Sequence, residues 1–282
     1  MTTWNRLVDG IDFGEGPRWH DGRLWYSDFY QRTIYSVGEA GDRVAEHGDL
    51  PDRPSGLGWM PDGSLLAVFM TQRRLMRFTP DGTMTVHADL GHLAAGNVND
   101  MVVAANGDAY VGNFGFDFEA GEEFAPATLI LVRADGTVSA AADDLAFPNG
   151  SVITPDGSTL VVGESFAGNY VAFTIEADGA LSGRRDWAAV DGMIPDGCSM
   201  DAAGGIWFSD ARGSQVVRVE EGGAVTDRVA TPDRTFACAL GGADGRTLFA
   251  LCAPGSHPDE VAGRAEGAIY TTRVDHPHTG LP

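Results

Sequence analysis

Two carboxylates and two amides stand out from this sequence: Glu15, Asn99, Asn149 and Asp196. They lie far apart along the chain but share one position in a repeated pattern. Asn99, Asn149 and Asp196 each come eight residues before a turn glycine, at Gly107, Gly157 and Gly204. Glu15 comes seven before Gly22, where the turn is one residue shorter. Ser55 and Ala237 hold the same place before Gly63 and Gly245. Any one of these residues alone is an ordinary turn former, as in Asn149-Gly150 and Asp196-Gly197. Together, two carboxylates and two amide carbonyls are hard oxygen donors with a summed charge of −2. The absence of His and Cys from the set favours Ca²⁺, with Mg²⁺ and Mn²⁺ next and Zn²⁺ the least suited. Four protein oxygens fall short of the ~6–8 that calcium takes, which leaves positions for water or substrate, as a catalytic metal requires. Two carboxylates meeting at one point repel each other unless a cation lies between them.

An architecture must bring these distant residues together. The pattern is a short apolar strand, a turn ending in glycine, and a second apolar strand. It runs through "RWHDGRLWYSD", "GWMPDGSLLAV", "VVAANGDAYVGN", "VITPDGSTLVVGE", "SMDAAGGIWFSD" and "LGGADGRTLFAL". The six turn glycines are spaced 41, 44, 50, 47 and 41 residues apart. A second glycine turn follows in the first five repeats, at Gly41, Gly82, Gly136, Gly179 and Gly223. Two hairpins per repeat make a four-stranded sheet, and such sheets at this period are propeller blades. The reading is an all-β protein, a six-bladed β-propeller with four antiparallel strands per blade, forming a single domain over residues 1–282. The N-terminal "NRLVDGI" supplies the outer strand missing from the last repeat, whose third strand is "GAIYTTRV". First strands line the central channel, so residues in one register form a ring: Glu15, Ser55, Asn99, Asn149, Asp196, Ala237. Trp19 and Trp59, each four residues past its member of the set, support the register.

Composition removes other classes. A net charge of −21 repels nucleic acid and anionic lipid. No apolar run approaches the ~20 residues that span a bilayer. "MTTWNRLVDG" has no basic stretch leading into an apolar one, so no signal peptide is read and a cytoplasmic protein is expected. Three scattered cysteines, Cys198, Cys238 and Cys252, are expected as reduced, buried thiols, although Cys238 and Cys252 are placed to face each other across a hairpin. No oligomeric state is read from the sequence.

The ring residues begin the first strands, so the loops entering each blade, and those after each second strand, share the ring's side. The chain spends its extra length there, in "FGFDFEAGEEFAP" (114–126) and "APGSHPDEVAGRAEG" (253–267). The first holds Phe114, Phe116, Phe118 and Phe124 and is expected to roof an apolar pocket. Phe13, Phe147, Met193, Ile194 and Phe236, in the entering loops, are expected in its wall. His92 and His257, on the same side, read as surface histidines.

"EGPRW", "NVNDMVV", "FPNGSVITPDG" and "IPDGCSMDAAGGIWFSD" resemble the signature blocks of the senescence-marker-protein/gluconolactonase (regucalcin-like) family. The resemblance implies a six-bladed propeller with one divalent metal, commonly calcium, in the channel. It implies Glu15, Asn149 and Asp196 as metal ligands, Asn99 as a metal or substrate contact, and Asp196 as general base, with direct nucleophilic attack by Asp196, as in phosphotriesterase-like relatives, the alternative. The sugar-lactonase branch carries Arg two residues before that Asn. Here the position is Asn97, which puts a polyhydroxylated lactone in doubt and favours something less polar. The expected function is metal-dependent hydrolysis of a lactone or related ester, with Asn97, Asn99, Phe114, Phe116 and Met193 contacting a small-molecule substrate. Alternatives are a phosphotriesterase-like or non-hydrolytic enzyme using the same metal, or a binding propeller with a structural metal. No Gly-x-Ser-x-Gly elbow is present.

Overall fold

The structure is a computed structural model and describes residues 3–282; residues 1 and 2 of the expected domain lie outside the described residues. It is a six-bladed β-propeller. Five sheets are built from strands consecutive in sequence, starting from innermost strands Gly14–His20, Pro54–Trp59, Val98–Val103, Pro148–Ile153 and Pro195–Met200. The sixth runs outward from Thr235–Gly241 through Thr247–Cys252 and Gly267–Arg273 to Asn5–Ile11. The N-terminal strand therefore closes the ring as the outer strand of the last blade, pairing Asn5 with Thr271 and Ile11 with Gly267.

Burial falls from the axis outward, as stacked blades require. The second strands are apolar on both faces because each is sandwiched between neighbouring blades. Leu65–Phe69 and Thr247–Cys252 are buried throughout. The outer strands are mostly exposed: Arg43–His47 has no buried residue and Val225–Ala230 only Val229. All six first-turn glycines have positive φ, from 71° to 91°, a region that side chains resist. This geometry is why a glycine recurs at that point in every repeat.

The innermost strands crowd one another at the axis. A Cβ on Gly150 would lie 2.3 Å from the Asp196 carbonyl oxygen and 2.8 Å from the Cys198 nitrogen, both backbone atoms of the next blade. On the turn side, segment 275–282 crosses three blades: His278 N–H donates to Gly245 O (2.8 Å), Ala202 N–H to Pro277 O (2.8 Å) and Leu281 N–H to Ile153 O (3.0 Å). All three cysteines are buried and free. Cys238 lies opposite Ala250 and Cys252 opposite Thr235, so the hairpin register keeps the two thiols from facing each other. Among the described residues, no helix is long and apolar enough to cross a membrane.

Gly150→Ala is expected to destabilise the protein by about 1–3 kcal/mol, the usual range for overpacking. Thermal melts would check this; an unchanged Tm would contradict the close approach of blades 4 and 5.

Candidate metal and active site

Each innermost strand breaks register with its neighbour at the ring. The shifts fall at Glu15/Arg18, Pro54/Leu57, Val98/Met101, Pro148/Ser151, Pro195/Cys198 and Thr235/Ala237. A bulge re-aims a side chain out of the regular in–out alternation. Repeated in every blade, it puts the ring residues at the floor of one cavity.

Glu15, Asn99, Asn149 and Asp196 all line that cavity, which encloses about 330 Å³. All four are buried, Asp196 the most exposed at 9 %. A chain of hydrogen bonds orders the amides. Ser55 Oγ donates to Asn99 Oδ1 (3.0 Å), Asn99 Nδ2 to Asn149 Oδ1 (3.2 Å), Asn149 Nδ2 to Ser165 Oγ (3.2 Å), and Ser165 Oγ to the Pro195 carbonyl (2.7 Å). Each amide oxygen keeps a second lone pair free for a further partner.

The carboxylates have less support. Glu15 accepts only from the neighbouring Gly16 N–H, at 3.1 Å. Neither Glu15 nor Asp196 joins an ion pair among the described residues. Burial drives the Glu15 carboxyl well above its usual range, and the charges of Asp196 and Asp100 push it further. Burial likewise raises Asp196, with Asp100 adding to it, to about 8; hydrogen bonding from Asn149 and Gly197 offsets only part. The Arg18 charge offsets only part of the rise at Glu15, because its guanidinium is committed elsewhere. Its guanidinium donates to Asp100 Oδ1 (2.6 Å), Met101 O (2.7 Å) and Leu57 O (2.9 Å). Two buried carboxyls that repel each other, beside two oriented amide oxygens, suit a hard divalent cation. Among the described residues no group of three or more His, Cys, Asp or Glu forms a metal cluster, so amide oxygens would have to complete any coordination.

The walls are aromatic. Phe114, Phe118, Phe147 and Phe166 line one side, and Phe13, Phe29, Tyr30 and Phe236 the other. The 114–126 loop is tied across to blade 2 by a two-pronged ion pair, Arg53 Nη1 to Glu119 Oε1 (2.6 Å) and Nη2 to Glu119 Oε2 (3.2 Å). Of the expected wall residues, Phe13, Phe114, Phe147, Ile194 and Phe236 do line the cavity, whereas Asn97, Phe116 and Met193 are not among its lining residues. Asn97 is half-buried, and its carbonyl accepts from Phe114 N–H (2.9 Å). Phe116 packs behind the wall, edge-on to Phe118. Met193 turns into the core of blades 4 and 5, and its neighbour Ile194 takes the wall position. His257 reaches the cavity rim; His92 does not.

The SMP-30/Gluconolactonase/LRE-like region matches residues 13–253, most of the chain. This chain belongs to that family. Among SMP-30/gluconolactonase relatives, a pentonolactonase of Haloferax volcanii is 29 % identical over 99 % of this chain and 97 % of its own. A 6-deoxy-6-sulfogluconolactonase of Pseudomonas putida is 27 % identical over 95 % of this chain and 94 % of its own. The crystal structure of a calcium-binding protein, regucalcin, from Agrobacterium tumefaciens superposes with a TM-score of 0.83 at 21 % identity, covering 100 % of this chain and 97 % of that one. At that identity the likeness establishes the fold.

This member of the family holds its ring-side loops with residues the sequence reading passed over. Four second strands end in a polar residue, Asp28, Asn113, Glu164 and Asp210, visible in "WYSD", "YVGN", "VVGE" and "WFSD". Each caps backbone N–H groups of nearby loops. Asp28 accepts from Asp12 (2.9 Å) and Phe13 (3.3 Å), Asn113 from Gly115 (3.0 Å), Glu164 from Ala146 (2.7 Å) and Asp210 from Ile194 (3.0 Å). Arg18 and Asp100 fall inside "EGPRW" and "NVNDMVV" and pair with each other, and Phe166 joins the wall, none of which the repeat pattern reveals.

A raised carboxyl pKa has a definite sign for stability. An unfolded Asp titrates near ~4, whereas folded Asp196 titrates at about 8, so the folded state holds the extra proton between those values. Stability from this group is full below the lower value and is lost as pH rises through the upper one. Chelator-treated protein should therefore melt at falling temperature from pH 5 to pH 9, and Asp196→Asn should flatten that slope. An unaltered slope in the variant would contradict the burial argument.

Proposed function

We propose that this protein is a metal-dependent hydrolase of a lactone or related ester. The observation that carries the reading is the pair of buried carboxyls without an ion-pair partner, Glu15 and Asp196, at the floor of the cavity that Asn99 and Asn149 also line. The similarity to lactonases over nearly the whole chain supports the same reaction class.

Glu15, Asn149 and Asp196 would hold a divalent cation, with Asn99 as a fourth ligand or a contact to substrate. Such a cation, when bound, supplies electrophilic polarisation of an ester carbonyl, charge stabilisation of the developing oxyanion, and a more acidic water. The all-oxygen set fits Ca²⁺ best, with Mn²⁺ and Mg²⁺ next. Asp196 has the catalytic role: it takes the proton from the attacking water and passes it to the departing alkoxide. Ser55 and Ser165 keep the amides oriented through their hydrogen bonds. The aromatic walls exclude bulk water, which strengthens every charge interaction on the floor.

Dialysis against chelator should abolish turnover on a panel of lactones and esters, and re-addition of Ca²⁺, Mn²⁺, Mg²⁺ or Zn²⁺ in turn should restore it to differing degrees. Asp196→Asn should lower kcat by about 10²–10⁴-fold, the usual range for loss of a general base, with a native far-UV spectrum. Full activity in metal-free protein, or in the variant, would overturn the assignment.

A further inference from the structure

We infer that the substrate is an aryl-bearing lactone or ester whose flat ring inserts between the two aromatic walls, and not a polyhydroxylated sugar lactone. This rests on the hydrolase reading of the same cavity and adds its specificity.

The first observation is geometric. Phe114, Phe147 and Phe166 form a column of nearly parallel rings, with centroids 4.3 Å apart at 16° and 4.8 Å apart at 6°. Phe13 and Phe236 face them from the far side, themselves in contact at 4.9 Å. A planar substituent entering this gap meets ring faces and edges, each such contact adding to simple burial. A space of about 330 Å³ lies at the lower end for ligand pockets, so the guest is compact.

The second observation concerns polar partners. A sugar lactone brings several hydroxyls, and each must find one inside the cavity or lose its hydration uncompensated. Several polar groups above the floor are already taken, and Arg234 in the wall lays its guanidinium over Phe236 (5.1 Å) and donates through Nη2 to Ala211 O (3.2 Å). Ser165 Oγ donates to Pro195 O, and Tyr30 Oη donates to Ser256 O (2.9 Å). Glu119 is held by Arg53, and His257 Nδ1 accepts from Asp259 N–H (3.3 Å). Asn97 is off the cavity wall.

The third is exposure. Among the described residues six large hydrophobic side chains are exposed, and three of them, Phe118, Phe124 and Phe166, cluster at this mouth. Phe118 and Phe166 are 47 % and 46 % exposed while lining the cavity. An apolar guest covers surface that a polyol would leave wet.

Three δ-lactones separate the possibilities: dihydrocoumarin, with a fused aryl ring; δ-valerolactone, with none; and D-glucono-1,5-lactone, with hydroxyls. Because the phenolate of dihydrocoumarin is a better leaving group than an alkoxide, each kcat/KM is divided by that lactone's uncatalysed hydrolysis rate, and the expected order then puts dihydrocoumarin at least tenfold above each of the others. Phe166→Ala should shrink the dihydrocoumarin-to-valerolactone ratio about tenfold, mainly through KM, and Val86→Ala on the outer strand of blade 2 should leave that ratio unchanged. A preference for gluconolactone, or a ratio indifferent to Phe166→Ala, overturns this inference and leaves the hydrolase reading standing. Binding of 2-tetralone, the ketone isostere of dihydrocoumarin, is measured in parallel by ligand-observed NMR. Tetralone binding that weakens in Phe166→Ala, without turnover of any lactone, supports the aryl pocket and removes the hydrolase reading. Failure of tetralone to bind more tightly than cyclohexanone counts against the aryl pocket whatever the kinetics.

Discussion

Repulsion between two buried carboxyls is the constraint around which this propeller is arranged. Glu15 begins the first blade and Asp196 the fifth, and closing the ring brings them into one water-poor cavity. Neither receives a guanidinium, because Arg18 is held by Asp100 and three backbone carbonyls. Burial raises both carboxyls, with the charges of Asp196 and Asp100 adding to Glu15 and that of Asp100 to Asp196, so the metal-free floor holds protons that it would not hold in water. An arrangement this unfavourable persists only if the surrounding fold over-determines it. Bulges in all six innermost strands and interlocked backbones at the axis supply that rigidity.

The repeat was readable because its punctuation is chemical. A positive-φ turn favours glycine, so six such turns leave six glycines at near-regular spacing, and the ring follows by counting back from them. The closing strand was readable for a related reason: the last repeat lacks a strand, and "NRLVDGI" has no other partner. Individual wall positions were harder. Met193 and Ile194 are adjacent and both apolar. Which one faces the cavity depends on the loop's backbone path, which the Asp210 carboxylate fixes by accepting from Ile194 N–H. Phe116 and Phe118 differ in the same way, one packing behind the wall and one lining it. Asn97 has its carbonyl tied to Phe114, and its side chain does not join the lining. The polar residues that end four of the second strands are visible in four of the six repeats, yet their partners are backbone N–H groups of nearby loops, which periodicity does not reveal.

Floor and walls divide the labour. The floor residues come from innermost strands, which the whole ring holds in place. The walls come from loops, where insertion and aromatic substitution change the guest without disturbing the centre. The opposite end carries the glycine turns and the crossing segment 275–282, and none of the ring residues. On the proposed reading, chemistry and specificity occupy one end of a channel whose other end serves stability.

Anomalous diffraction from a crystal soaked in Mn²⁺ tests the central claim most directly. The account predicts one strong peak on the propeller axis, within ligand distance of Glu15, Asn149 and Asp196 oxygens. A map with no peak there at saturating Mn²⁺, or with its strongest peak elsewhere on the molecule, would contradict it.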